Sequence, residues 1–141
     1  MSVLEFDGYS VKEIQYKKNE QFKADKTSVD LSPKLDTNYA VSDSKITVEL
    51  GIKIGNTDDS DLPFGVYVKI VGNFTFNPEE DTQSIGLTEF VQKNSVAILY
   101  PYLRALVSNI TNYSEDFPPY NLPTINVAQV LQNQQMDEAD D

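Results

Sequence analysis

The chain has no cysteine and no histidine. The first absence excludes disulfides, thiolate nucleophiles and cysteine metal sites. The second removes Ser-His-Asp and Cys-His catalysis, imidazole zinc sites and the commonest general base, so an enzyme is not expected. Bases are scarce as well: 11 Lys and Arg against 22 Asp and Glu leave a net charge of −11, which argues against nucleic acid or an anionic membrane as partner and leaves cationic partners open. No basic region followed by an apolar core appears in MSVLEFDGYS, so no secretory signal is expected. The longest apolar runs fall far short of a membrane span, and a cytoplasmic protein is the expectation. No Gly-rich phosphate loop or dinucleotide fingerprint is present, so no cofactor is expected either.

What is present fits one α+β domain. At 141 residues there is room for one real core but hardly for two. Ile46, Val48, Leu50, Ile52 and Ile54 alternate strictly with Thr47, Glu49, Gly51 and Lys53, the mark of a strand with one buried face. Phe64, Val66, Val68, Ile70, Gly72, Phe74 and Phe76 repeat the pattern, and the polar GNTDDSDLP between them predicts an antiparallel hairpin. Val3 to Lys23 reads as one long strand or two, with Val11, Ile14, Tyr16 and Phe22 inward; the slip between Val11 and Ile14 predicts a bulge. Residues 24–33 read as a crossover loop, and Lys34 to Val41 as a further strand carrying Leu35, Tyr39 and Val41.

The acidic cluster Asp58, Asp59 and Asp61 invites a metal reading and fails it. Counted from Asn56 as a calcium loop, Asp61 stands where glycine is needed and Tyr67 where a bidentate acid is needed. A solvated hairpin turn is the simpler account, and no metal site is expected.

The longest helical pattern lies in the C-terminal third. Leu99, Leu103, Leu106 and Ile110 recur at helix spacing, and Ala97, Ile98, Tyr102 and Val107 widen the stripe. Pro101 inside it predicts a kink or an effective start near Tyr100. Asn112 suits a helix end, because Tyr113 to Pro123 holds three prolines and three aromatics. A second, shorter helix is predicted from about Ile125 to Gln134. Strands first and helices after give a four-stranded antiparallel sheet with the long helix on one face. Residues 1–134 form the predicted domain, and 135–141, ending Asp137-Glu138-Ala139-Asp140-Asp141, an acidic tail predicted to be disordered.

Two motifs carry a resemblance. Ile98-Leu99-Tyr100-Pro101-Tyr102-Leu103-Arg104, followed by Phe117-Pro118-Pro119-Tyr120-Asn121-Leu122-Pro123-Thr124-Ile125-Asn126-Val127, resembles the paired signature of the SecB protein-export chaperones. The resemblance covers the C-terminal third directly and the rest in strand pattern. It implies an ATP-independent holdase that binds unfolded polypeptides or preproteins in long apolar grooves, with protomers joined by strand pairing and dimers joined through the long helices into a homotetramer. Carried over by position, the groove is Phe22, Val29, Leu31, Leu35 and Tyr39 with Ile125, Val127, Val130 and Leu131. The breadth of the helix stripe leaves Tyr102, Arg104 and Val107 for a subunit interface. In the family the SecA translocase docks on acids of the first strand and outward third strand, which correspond here to Asn19, Lys23 and Tyr67. None of these is acidic. Ala105 replaces the acid that commonly follows the helix arginine, and Val127-Ala128 the aromatic-acid start of the last helix. These departures count against SecA as partner, and the alternative expectation is a dedicated SecB-like binding protein, phage-encoded, accessory or antitoxin-associated, with a narrow partner range.

Overall fold

The computed structural model describes residues 4–22, 31, 33–58, 62–77, 79 and 94–112. Four antiparallel strands, β1 (Leu4–Lys18), β2 (Lys34–Ser42), β3 (Lys45–Gly55) and β4 (Phe64–Phe76), form one sheet in the order β1-β4-β3-β2. One helix, α1 (Val96–Asn112), packs on the apolar face against β3 and β4. The predicted second helix, the crossover loop apart from Leu31 and Pro33, and the acidic tail lie outside the described residues. Among the described residues no helix is long and apolar enough to cross a membrane.

Alternation places the side chains in rows across the strands. Val41, Ile46, Phe74 and Phe6 form one row; Tyr39, Val48, Gly72 and Tyr9 the next. Thr37, Leu50, Ile70 and Val11 follow, then Leu35, Ile52, Val68 and Ile14. The β3 and β4 members are almost fully buried, which at roughly 25 cal/mol per Å² of apolar surface makes them the main source of stability. The predicted bulge falls where the alternation slips: Val11 pairs with Ile70 and Glu13 with Lys69, leaving Lys12 as the extra residue. A second irregularity leaves Asp7 extra between Phe6 and Gly8. Gly8 there has φ 118°, a conformation open to glycine.

Strand β1 stops earlier than the sequence pattern predicts. Asn19 turns the chain: its backbone N–H donates to Pro63 O (2.9 Å), its side-chain amide to Leu62 O (2.8 Å), and its Oδ1 accepts from Gln21 N (3.1 Å). Phe22 therefore lies beyond a corner, with its N–H bonded to Asn19 O, and not on the strand. Leu31 lies at the same end of the sheet, where its O accepts from Gly55 N (2.8 Å).

Helix α1 begins at Val96, one turn before the start that Pro101 predicts. Pro101 faces solvent, so its ring lies away from the sheet. The buried stripe is Val96, Leu99, Tyr100, Leu103, Val107, Ile110 and Thr111. Val107, not Leu106, carries the third turn; Leu106 is half-buried at its margin. Leu99 sits over Gly72, where a Cβ would lie 2.5 Å from Leu99 Cδ2. That glycine lets the helix approach the sheet.

Candidate functional site

Among the described residues, the inner face of the sheet is wider than α1, which packs on it. Val68 and Ile70 are fully buried, yet their direct partners on β1, Ile14 and Val11, are 47% and 44% exposed. At the opposite edge Val41 is 50% exposed beside buried Ile46. Exposed apolar surface thus flanks α1, Val11 and Ile14 along β1 and Val41 at one end of β2. Such surface is costly to leave in water and marks a contact when it is contiguous.

At one end the β1 strip is tied to the helix by aromatic rings. Tyr102 lies 4.5 Å from Tyr9 and 5.8 Å from Phe6, and Phe6 lies 5.3 Å from Phe74 between ring centroids. Tyr9 and Tyr102 both remain exposed, so this cluster presents aromatic surface outward.

The groove residues expected from sequence divide by place. Leu35 and Tyr39 lie on the inner face of β2, with Leu35 buried and Tyr39 half-buried against the core. Leu31 is buried beside Gly55, and Phe22 is half-buried beyond the Asn19 corner. Val29, Ile125, Val127, Val130 and Leu131 lie outside the described residues. Of the helix set, Tyr102 is exposed, Arg104 half-buried and Val107 fully buried within the single chain, so Val107 offers no surface to a neighbour. The sequence reading omitted Tyr9 and Val41 from the site; each continues an inward alternation, and that signal was sufficient to include them.

The outer face is polar and organised by charge. Glu49 accepts a hydrogen bond from Lys12 and lies 3.9 Å from Lys69, which lies 4.0 Å from Asp36. The hydrogen bond from Lys12 holds the Glu49 carboxyl below the usual carboxylate range; partial burial opposes this, and Lys69 and Asn38 add to it. Lys69 is raised above the usual lysine range, first by its hydrogen bond to the Tyr67 side chain, against desolvation and with help from Asp36 and Glu49. Its ammonium sits 5.7 Å from the Tyr67 ring centroid. At one end Lys45 donates to Thr75 (2.9 Å), which donates to Asp7 (2.6 Å).

Comparison with known proteins places this geometry in a family. The family described as preprotein translocase subunit SecB matches residues 10–138. An uncharacterized protein of Methanocaldococcus jannaschii is 34% identical over 134 residues, covering 92% of this chain and 83% of that protein. Among solved structures, a Mycobacterium tuberculosis SecB-like chaperone in complex with a ChAD peptide from an antitoxin aligns with TM-score 0.61 at 19% identity, over 86% of this chain and 90% of that one. A protein of unknown function from Streptococcus agalactiae aligns with TM-score 0.50 at 13% identity, over 86% and 97%. The match over residues 10–138, with a fold shared by the Mycobacterium tuberculosis neighbour, shows that this chain belongs to the SecB family.

Proposed function

We propose that the chain is an ATP-independent holdase for unfolded or preprotein polypeptides, working as a homotetramer built as a dimer of dimers. The observation that carries this reading is the inner sheet face, which extends as exposed aliphatic surface past both flanks of α1. On the β2 side, exposed Val41 with half-buried Tyr39, and half-buried Phe22 at the adjoining end of the sheet, offer apolar surface to an extended client, with Leu35 and Leu31 buried beneath it. Val29, Ile125, Val127, Val130 and Leu131 complete that groove by position in the family. Affinity along such a track comes from area and repetition, with little demand on client sequence. On the β1 side, Tyr9, Val11 and Ile14 lie along an edge strand whose outer backbone groups are available for a second protomer. Tyr102 and Arg104 on α1 serve the helix contact between dimers.

Export is the weaker half of the family role for this chain, since Asn19 is consumed as a structural corner and Tyr67 lies beside lysines. In the Mycobacterium tuberculosis neighbour the bound segment comes from an antitoxin, which supports a dedicated client as the second reading. One experiment separates the two. A chemically unfolded, slow-folding protein is diluted into the chain at stoichiometric amounts without nucleotide, and aggregation is followed by light scattering. Suppression with several unrelated clients supports the general holdase; no effect at several-fold excess overturns it. Capture of one tight partner with no effect on the rest assigns the narrow role.

A further inference from the structure

We propose that the Tyr67 end of the outer sheet face docks an acidic peptide segment of a partner protein. Lys34, Lys53, Tyr67 and Gln15 form one row across all four strands, and Lys17 follows Gln15 on β1, opposite Gly65. Lys17, Lys53, Gln15 and Tyr67 line a shallow pocket of about 230 Å³. Gly55 and Gly65 pair directly beside this row and carry no side chain; the backbone of Asn56 packs over Gly65 and forms one wall of the pocket.

Charge distinguishes this end from the rest of the face. Lys12, Lys69 and Lys45 each have an acceptor on neighbouring strands. Among the described residues Lys17, Lys34 and Lys53 have none, although acids outnumber bases two to one in the chain. Lys34 and Lys53 stand directly opposite one another, a like-charge cross-strand pair that destabilises the free sheet. Among the described residues Asp58 is the one acid lining the pocket; Glu13, which accepts from Gln15, and Asp36, which lies 4.0 Å from Lys69, stand in the adjoining row. An incoming carboxylate would remove that repulsion, and the site takes on an energetic reason to be filled. The same net charge of −11 that surrounds the patch repels the continuous phosphate backbone of a nucleic acid, and so favours a short acidic stretch of protein. This proposal does not depend on the holdase reading, which uses the other face.

The test is a fluorescence anisotropy titration of the full chain with a labelled Asp/Glu-rich peptide. Binding that weakens with added salt, falls at least about tenfold in the Lys17→Glu/Lys53→Glu variant and is retained in Lys17→Arg/Lys53→Arg is expected. The urea midpoint of each variant, and its holding of an unfolded protein, report that the fold and the apolar face are intact. Unchanged affinity on charge reversal overturns the proposal, as does tighter binding of a Lys/Arg-rich peptide. Equal binding of a single-stranded RNA, lost in the same variant, also overturns it. Tighter peptide binding after neutralising Asp137, Glu138, Asp140 and Asp141 would assign the patch to the chain's own acidic run and remove the separate partner.

Discussion

Single residues decide whether the inner face closes. Gly72 is the point where α1 meets the sheet, and a methyl group there would lie 2.5 Å from Leu99 Cδ2 and 2.9 Å from Phe74 Cε2. Both neighbours are fully buried and cannot swing aside. Gly72→Ala is expected to destabilise the chain by about 1–3 kcal/mol, read as a lower urea midpoint with unchanged slope. Asn19 works by hydrogen bonding: Asn19→Ala leaves the buried Leu62 carbonyl without its donor, at a cost of about 1–3 kcal/mol in the same measurement. Glu49 tests the outer face. Because its folded pKa lies below its ordinary 4.5, its contribution is present above that value and is lost as pH falls through the lower folded value. Glu49→Gln should therefore lower stability at neutral pH by about 1 kcal/mol or less, with the difference from the unaltered chain shrinking in acid.

At the scale of elements, β3 and β4 were legible because their apolar residues alternate without a break, and the slip in β1 announced its bulge. The pairing of β3 with β4 was legible from the polar turn between them, but the place of β1 beside β4 was not: a period of two says which face a residue takes but not which strand lies beside it. The ion pairs of the outer face were hidden for the same reason, since Lys12 meets Glu49 only through the β1-β4-β3 register. In α1, Leu106 and Val107 differ by one step of about 100° on a broad apolar arc, so the pattern alone could not say which would point at the sheet. The site was half legible. Leu35 and Tyr39 follow from alternation, whereas Phe22 was assigned to a strand that Asn19 ends. The β2 strip carries its own prediction: Tyr39→Ala combined with Val41→Asp should reduce suppression of client aggregation several-fold while leaving the urea midpoint within about 1 kcal/mol, because Val41 is half exposed.

For the whole molecule, the described residues leave apolar side chains exposed on both flanks of α1, which favours association. A charge of −11 supplies mutual repulsion, and burial between subunits would remove part of the exposed surface. Multi-angle light scattering should report an assembly larger than one chain, and Ile14→Glu should shift it toward smaller species with its circular dichroism unchanged. A compact monomer for the unaltered chain would contradict the proposed assembly.

The irregularities at Asp7 and Lys12 divide the outer border of the sheet into short straight pieces, Leu4–Phe6, Gly8–Val11 and Glu13–Lys18. Any backbone that zips along this border meets an interruption after a few residues, and sliding by one position would set an interruption against a regular stretch. A protomer paired there, as in the proposed dimer, would be held to a single offset, and the interruptions would work against a ladder that extends from molecule to molecule into a fibre.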